Sequence, residues 1–391
     1  MVRPYHDQKC FLPSVLFILG ILFLIPTLSA SYTYETWTAE EGLPQNSVLC
    51  LLQDKAGYLW CGTQSGLVRF DGVYFKIYNR WNIPNLKSDK ITALYEDSSG
   101  ALWVGTEDGG LCRMKNGEWT SYTVKEGLAH NDIRALYGDR DGNLWIGTAN
   151  GLNRLSPGQD KFSTLTPGPG DDFWGNTITA ISGGSNHIIW IGTNDNGLYC
   201  IKNGKYQPYN PEVDPINSGI TALSEDRSGR LWIGTQNGLL LLENGKIRRP
   251  PPPAHPLFNN TVRSLLLDNS GVLWIGTDGE GIFQFKDNTF SPALFFTHEL
   301  ADDYIYAFLQ DREANVWIGT FTGGLTRLAP ARVTPFLAGT SLPQNLGCIL
   351  LEDKNGGFWV GMDRKGLVKI KDNKIIGDVL PVTGITALYQ D

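Results

Sequence analysis

The sequence predicts an all-β fold: a seven-bladed β-propeller of four-stranded antiparallel blades, followed by the first blades of a second propeller. Three observations carry this. A Leu-Trp-Ile-Gly-Thr-like string recurs along the chain, each repeat reads as four short strands, and the phase of the repeats leaves a lone strand at the front.

The repeat shows in the tryptophans. Trp60, Trp103, Trp145, Trp190, Trp232, Trp274, Trp317 and Trp359 recur at intervals of 42 to 45 residues. One unit fixes the strand order: Ile91 to Asp97, a turn at Ser98-Ser99-Gly100, Leu102 to Thr106, a turn at Glu107 to Gly110, Leu111 to Lys115, an Asn116-Gly117 hairpin, and Glu118 to Thr123. Asn-Gly and Asp-Gly supply the positive φ that tight hairpins require.

The recurrent residues have structural reasons. Asp54, Asp97, Asp139, Asp226, Asp268, Asp311 and Asp353 precede a turn position usually held by Gly, where a carboxylate can accept backbone N–H bonds. The Trp is expected to fill the wedge between blades, and the Gly after it to let backbones approach. The fourth unit has Ser182-Gly183-Gly184 in place of the Asp, and the seventh has Ala314 in place of Gly.

Phase predicts the closure. Tyr32 to Trp37, followed by Glu41-Gly42-Leu43, matches Glu118 to Thr123 followed by Glu126-Gly127-Leu128. It is a fourth strand without its own blade and is expected to complete the last one, closing a ring near residue 330. Beyond that point a unit around Trp359 and the start of a ninth at Ile385 would exceed the usual blade number. The predicted organisation is therefore residues 1–30 as signal peptide or N-terminal anchor, 31–332 as the propeller, and 333–391 as the incomplete start of a second one. A blade array needs neighbours to bury its faces, so a longer natural product is expected.

The first thirty residues set Arg3 and Lys9 ahead of the mostly apolar run Phe11 to Leu28, which ends in Ser29-Ala30. That pattern directs export. Lys and Arg number 33 against 40 Asp and Glu, so no basic stripe is available for nucleic acid. After the export segment Cys50, Cys61, Cys112, Cys200 and Cys348 form neither a zinc pattern nor a disulfide framework. Most read as small core residues; Cys50 and Cys61 fall on adjacent expected strands, where pairing is the minor alternative.

The string Asp-x-x-Gly-x-Leu-Trp-Ile-Gly-Thr-x-x-Gly-Leu-x-Arg at 139–154 resembles the two-component regulator propeller repeat. Trp37 to Asn46 and Gly66 to Gly72 also resemble the openings of such proteins. The resemblance covers nearly everything after residue 31. It implies an extracytoplasmic sensor, in which twin propellers precede a β-sandwich, a membrane helix and a histidine kinase or diguanylate cyclase output. It also implies a homodimeric full-length receptor. No kinase activity carries over to these residues.

No catalytic residue, metal site or cofactor is expected from the sequence. There is no His-Glu-x-x-His, no Gly-x-Ser-x-Gly and no phosphate loop. His130, His187, His255 and His298 are scattered over loops, and Asp139 to Asn143 reads as a turn rather than a calcium loop. The weighed alternatives are a non-catalytic protein-interaction scaffold and a quinone- or metal-dependent propeller enzyme, including a streptogramin-lyase-like one. For the ligand, the long loops joining one blade to the next are expected to share a face, where variable loops on a rigid scaffold carry binding. Their candidate contacts are Trp81, Asn82, Phe173, Trp174, Phe258 and Asn259, suited to stacking on and bonding a carbohydrate.

Overall fold

The computed structural model describes residues 32–165, 176–184, 187–209, 218–251, 259–292, 302–330, 347–352, 358–362, 366–371 and 374–375. Within them the strands form eight four-stranded antiparallel sheets. Blades 1 to 6 take their strands in simple chain order, as in Val48–Gln53, Leu59–Thr63, Gly66–Phe70 and Phe75–Tyr78 of blade 1. The seventh has strands Ile305–Gln310, Val316–Thr320 and Leu325–Pro330, and its fourth is Tyr32–Trp37 from the start of the chain. Tyr32 pairs with Pro330 and Trp37 with Leu325, so main-chain hydrogen bonds lock the two ends of the ring together.

The first strands of successive blades pack side by side, and that of blade 7 returns to that of blade 1, which closes the ring around a central channel. The closing strand ends in a 3₁₀ turn, Ala39–Glu41, with a capping box between Thr38 and Glu41. The fourth strand of blade 2 leads into the same device at Thr123 and Glu126, so the repeat phase extends to the connecting turn. An eighth sheet, made of Gly347–Glu352, Phe358–Met362, Gly366–Lys371 and Lys374–Ile375, repeats the blade order.

Among the described residues apolar burial is divided among the junctions between blades. Trp232 of blade 5 packs with Leu239 and Leu241 of its own blade and Val262, Ile275 and Phe285 of blade 6. Trp317 of blade 7 does the same against Val48, Leu59 and Phe70 of blade 1. Gly after the Trp is required by the same approach. A Cβ on Gly234 would stand 2.9 Å from Val262 Cγ1, and one on Gly147 would stand 2.6 Å from Ile178 Cγ2. The Thr that ends the string is buried, and its hydroxyl donates to the carbonyl of the Gly opening the third strand, as Thr63 does to Gly66 at 2.7 Å.

The recurrent Asp does more than hold its turn. Asp268 Oδ1 accepts from the backbone N–H of Ser270 and Val272, both at 2.9 Å, and Oδ2 accepts from the indole Nε1 of Trp274 at 2.9 Å. The same indole bond is made by Trp60, Trp103, Trp145, Trp232 and Trp317 to the Asp six residues before each. An indole N–H buried without an acceptor would lose its hydrogen bond to water, and a carboxylate is a strong replacement.

Blade 4 lacks that Asp and solves the problem across the junction. Trp190 Nε1 donates to Glu225 Oε2 of blade 5 at 3.2 Å. Gly184 stands where the Asp would be, and a Cβ there would lie 2.5 Å from that carboxylate oxygen. The glycine makes room for the borrowed group.

Two stability predictions follow from local geometry. Ala314 occupies a left-handed conformation, φ +65°, at the turn position that elsewhere holds Gly. Ala314→Gly is expected to stabilise the protein by about 1 kcal/mol, read as a raised denaturant midpoint. Glu225→Ala leaves the Trp190 indole without its acceptor and is expected to cost about 2 kcal/mol in the same measurement.

Candidate functional site

Chain direction sorts the loops onto two faces. Each innermost strand begins on the face that carries the blade-to-blade loops and the turns between second and third strands. The other two hairpin turns of each blade lie opposite. On the first face, in blades 2 to 7, the residue after the motif Thr donates its N–H to the residue that precedes the innermost strand. The pairs are Glu107 with Lys90, Ala149 with Asp132, Asn194 with Thr177, Gln236 with Gly219, Asp278 with Thr261, and Phe321 with Tyr304. These paired positions form the rim of the channel mouth. Their backbones are fixed by the repeat, while their side chains differ from blade to blade.

The rim falls into sectors. At blades 2 and 3, Lys90 Nζ lies 2.8 Å from Glu107 Oε1, and Arg134 is 3.9 Å from the same oxygen and bonded to Asp132. Burial pushes the Asp132 carboxyl above its ordinary range, and Arg134 works against that shift. At blades 4 and 5 the rim is amide-rich: Gln236 Nε2 donates to Asn194 Oδ1 at 3.2 Å, and Asn196 bonds Asn176.

At blades 6 and 7 the rim is aromatic. Arg263 grips Asp278 with two hydrogen bonds and lies 4.7 Å from the centre of the Tyr306 ring. Tyr306 stacks on Phe321 at 5.3 Å and 20°. Tyr304 is 47% and Phe321 37% exposed, values high for aromatic residues on an ordered rim.

The residues singled out from sequence are placed differently. Trp81 is 84% exposed, on the loop between the outermost strand of blade 1 and blade 2, with the Arg80 guanidinium 5.8 Å from its ring. Asn82 is committed to that loop: its Oδ1 accepts from Asn79 N at 2.9 Å and its Nδ2 donates to Ile77 O at 3.0 Å. Asn259 is exposed at the junction of blades 5 and 6, a different part of the ring. Phe173, Trp174 and Phe258 lie outside the described residues, as do residues 1–31 with the expected export segment. The rim itself was missed by the sequence reading. Its signal was available in the first residue after each Thr, which is Glu, Ala, Asn, Gln, Asp or Phe where the string around it barely changes.

Other candidate chemistry is absorbed by structure. Asp139 accepts from the N–H groups of Asp141 and Asn143 and from the Trp145 indole, so it serves the turn. His130 Nδ1 accepts from Asp132 N at 3.0 Å. A cavity of about 520 Å³ opens on the opposite face between blades 5 and 6. Its Arg230 is bonded to Asp226 at 2.6 Å, and its Glu243 to Arg248 at 2.6 Å, which leaves it a gap between turns rather than an array of free groups. Among the described residues no helix is long and apolar enough to cross a membrane.

A family model described as two component regulator propeller matches residues 42–65, 85–108, 127–150, 214–237 and 256–279. The chain carries the two-component regulator propeller repeat. Each matched segment includes the innermost strand and ends two residues past the motif Thr, and so includes rim positions. A histidine kinase P4 of Formosa agariphila is 38% identical over 65 residues, covering 17% of this chain and 5% of that protein.

Among solved structures, the extracellular domain of a putative hybrid two component system from B. thetaiotaomicron matches at 21% identity and TM-score 0.66, over 90% of this chain and 50% of that one. A second B. thetaiotaomicron domain, of a putative one component system, matches at 24% identity and TM-score 0.62, over 88% and 47%. Virginiamycin B lyase from Staphylococcus aureus matches at 17% and 0.61, over 76% and 99%. The chain thus spans about half the length of the B. thetaiotaomicron domains, and at these identities the likeness concerns the fold.

Cys50, Cys61, Cys112 and Cys200 of this regulator propeller are free, so the pairing alternative for Cys50 and Cys61 does not occur. Cys50 pairs with Gly62 across its hairpin and Cys61 with Leu51, which puts the two thiols out of direct register. Burial pushes the Cys50 thiol up to about 12 and Cys112 to about 11, and raises Cys61 further. Raised values keep the thiols protonated, and the thiolate is the reactive form. Native protein at pH 8.5 is therefore expected to leave Cys50, Cys61 and Cys112 unalkylated in peptide mass spectrometry, with full labelling after denaturation.

Proposed function

We propose that residues 31–332 are the ligand-sensing extracytoplasmic propeller of a bacterial two-component-type receptor, and that they carry no catalytic activity. The observation that supports this most is the division of labour within the repeat. Its recurrent Asp, Trp, Gly and Thr are spent on turns and blade junctions, while the rim varies on a backbone held by hydrogen bonds. Rigid scaffolds commonly present binding groups in this way. The family match and the extracellular two-component domains of the same fold support the location and the sensory role.

In this reading residues 333–391 open a second propeller, and the eighth sheet is its first blade. The whole receptor is a homodimer with a cytoplasmic output module. The ligand is a carbohydrate breakdown product. Aromatic faces with neighbouring amides and ion pairs match the alternating apolar and hydroxyl surfaces of a sugar.

An oligosaccharide panel tested against the purified chain by calorimetry and thermal shift checks the assignment. Saturable binding of at least one carbohydrate class, with a raised melting temperature, is expected. Binding of none, together with turnover of any small molecule, would replace sensor by enzyme.

A further inference from the structure

We infer that the aromatic sector between blades 6 and 7, formed by Tyr304, Tyr306 and Phe321 beside the Arg263–Asp278 pair, is the stacking subsite for an uncharged sugar. The inference rests on the ligand-sensing reading and specifies where the ligand sits and what charge it carries.

The sector is a single contiguous unit. Asp278 and Tyr304 form an isolated β-bridge, and Phe321 N donates to Tyr304 O at 3.1 Å. Gly279, beside Asp278, faces the Tyr304 ring; a Cβ there would lie 3.6 Å from its Cζ. Ser47 of blade 1 donates its hydroxyl to Phe321 O at 2.7 Å and so fixes the far side. The platform is therefore held by hydrogen bonds from three blades, main-chain bonds within blades 6 and 7 and a side-chain bond from blade 1, and needs little ordering on binding. Preorganisation of this kind removes an entropic cost.

The chemistry selects the ligand. The partly exposed rings of Tyr304 and Phe321 suit the C–H face of a pyranose, while Tyr306 is engaged by Phe321 and Arg263 and backs the platform. The adjacent Arg263–Asp278 fork offers N–H donors and carboxylate oxygens to vicinal hydroxyls. Charge excludes an anion. Each rim cation already faces a carboxylate: Lys90 and Arg134 meet Glu107 and Asp132, and Arg263 meets Asp278. The tips of the same turns add the exposed carboxylates of Asp108, Asp195 and Glu280. A uronate or sulfated sugar would meet a surplus of like charge, with no uncommitted cation among the described residues of this rim.

The test compares neutral and uronate oligosaccharides by calorimetry on the full chain and four variants, each first matched to the parent in melting temperature. A neutral oligosaccharide is expected to bind. Phe321→Ala is expected to weaken it roughly tenfold, as is Phe321→Leu, which keeps bulk but loses the ring face. Asp278→Asn frees the Arg263 charge and is expected to move preference toward the uronate. Trp81→Ala, on the outer loop, is expected to change affinity less than twofold.

Neutral binding that ignores both Phe321 variants but is lost in Trp81→Ala would overturn the location and leave the sensor reading standing. Binding of uronates in preference to neutral sugars by the parent chain would overturn the charge argument alone. Binding of no sugar, with a peptide or another class bound instead, would overturn the sugar subsite while sensing survives.

Discussion

The structure depends on one buried bond, from an indole N–H to a carboxylate oxygen, repeated around the ring. Each blade junction needs a large apolar wedge, and tryptophan supplies the area. Its N–H comes with it and must be paired once water is excluded. The carboxylate that closes the first hairpin of the blade meets both demands, with one oxygen on the turn and the other on the ring, as in Asp268 and Trp274. Hairpin, wedge and junction are thereby set by one side chain. Blade 4 shows what is required: Trp190 receives an oxygen from Glu225 of the next blade, and Gly184 vacates the usual position. The requirement is for an acceptor at that point in space, not for an Asp at that point in sequence.

Fixing the junctions this way frees other positions to differ. The Gly, Thr and Trp of the string are all buried or closely approached, and a change at any of them strains a neighbouring blade. The residue after the Thr and its partner before the innermost strand contribute main-chain bonds that most side chains allow. The scaffold is nearly sevenfold symmetric, but its rim is not: paired charges lie at blades 2 and 3, amides at 4 and 5, aromatics at 6 and 7.

Much of this fold was legible in the sequence because its signals are local. The four-strand unit could be read from turn residues, and the pairing of Tyr32–Trp37 with Leu325–Pro330 from repeat phase alone. Ala314 was visible as a misfit, and it does adopt the strained conformation. The Asp–indole bond was not legible. The two residues stand six apart across a turn, and nothing in propensity or periodicity connects them. The proposed rim was legible only in part. Exposed aromatics on long loops attract notice, and Trp81 is indeed exposed. Asn82 proved to be holding its own loop together. The rim residues lie inside the repeat, where the constancy of their neighbours hides their variation. Only the ring brings Arg263, Asp278, Tyr306 and Phe321 to one place.

Ring closure also limits how occupancy of the rim could be felt elsewhere. Opening one junction would expose a tryptophan and break main-chain bonds on the rim face, such as Gly281 N to Asp303 O and Gly324 N to Asn46 O. Packed interfaces of this kind shift between discrete arrangements rather than yield by degrees. The described ring, with its ends joined strand to strand, offers no loose blade to rearrange. A ligand on such a rim acts on its surroundings chiefly by bridging the ring to another surface or by moving it as one body. On the sensor reading proposed above, the stiffness of the rim assigns the response to whatever the ring is attached to.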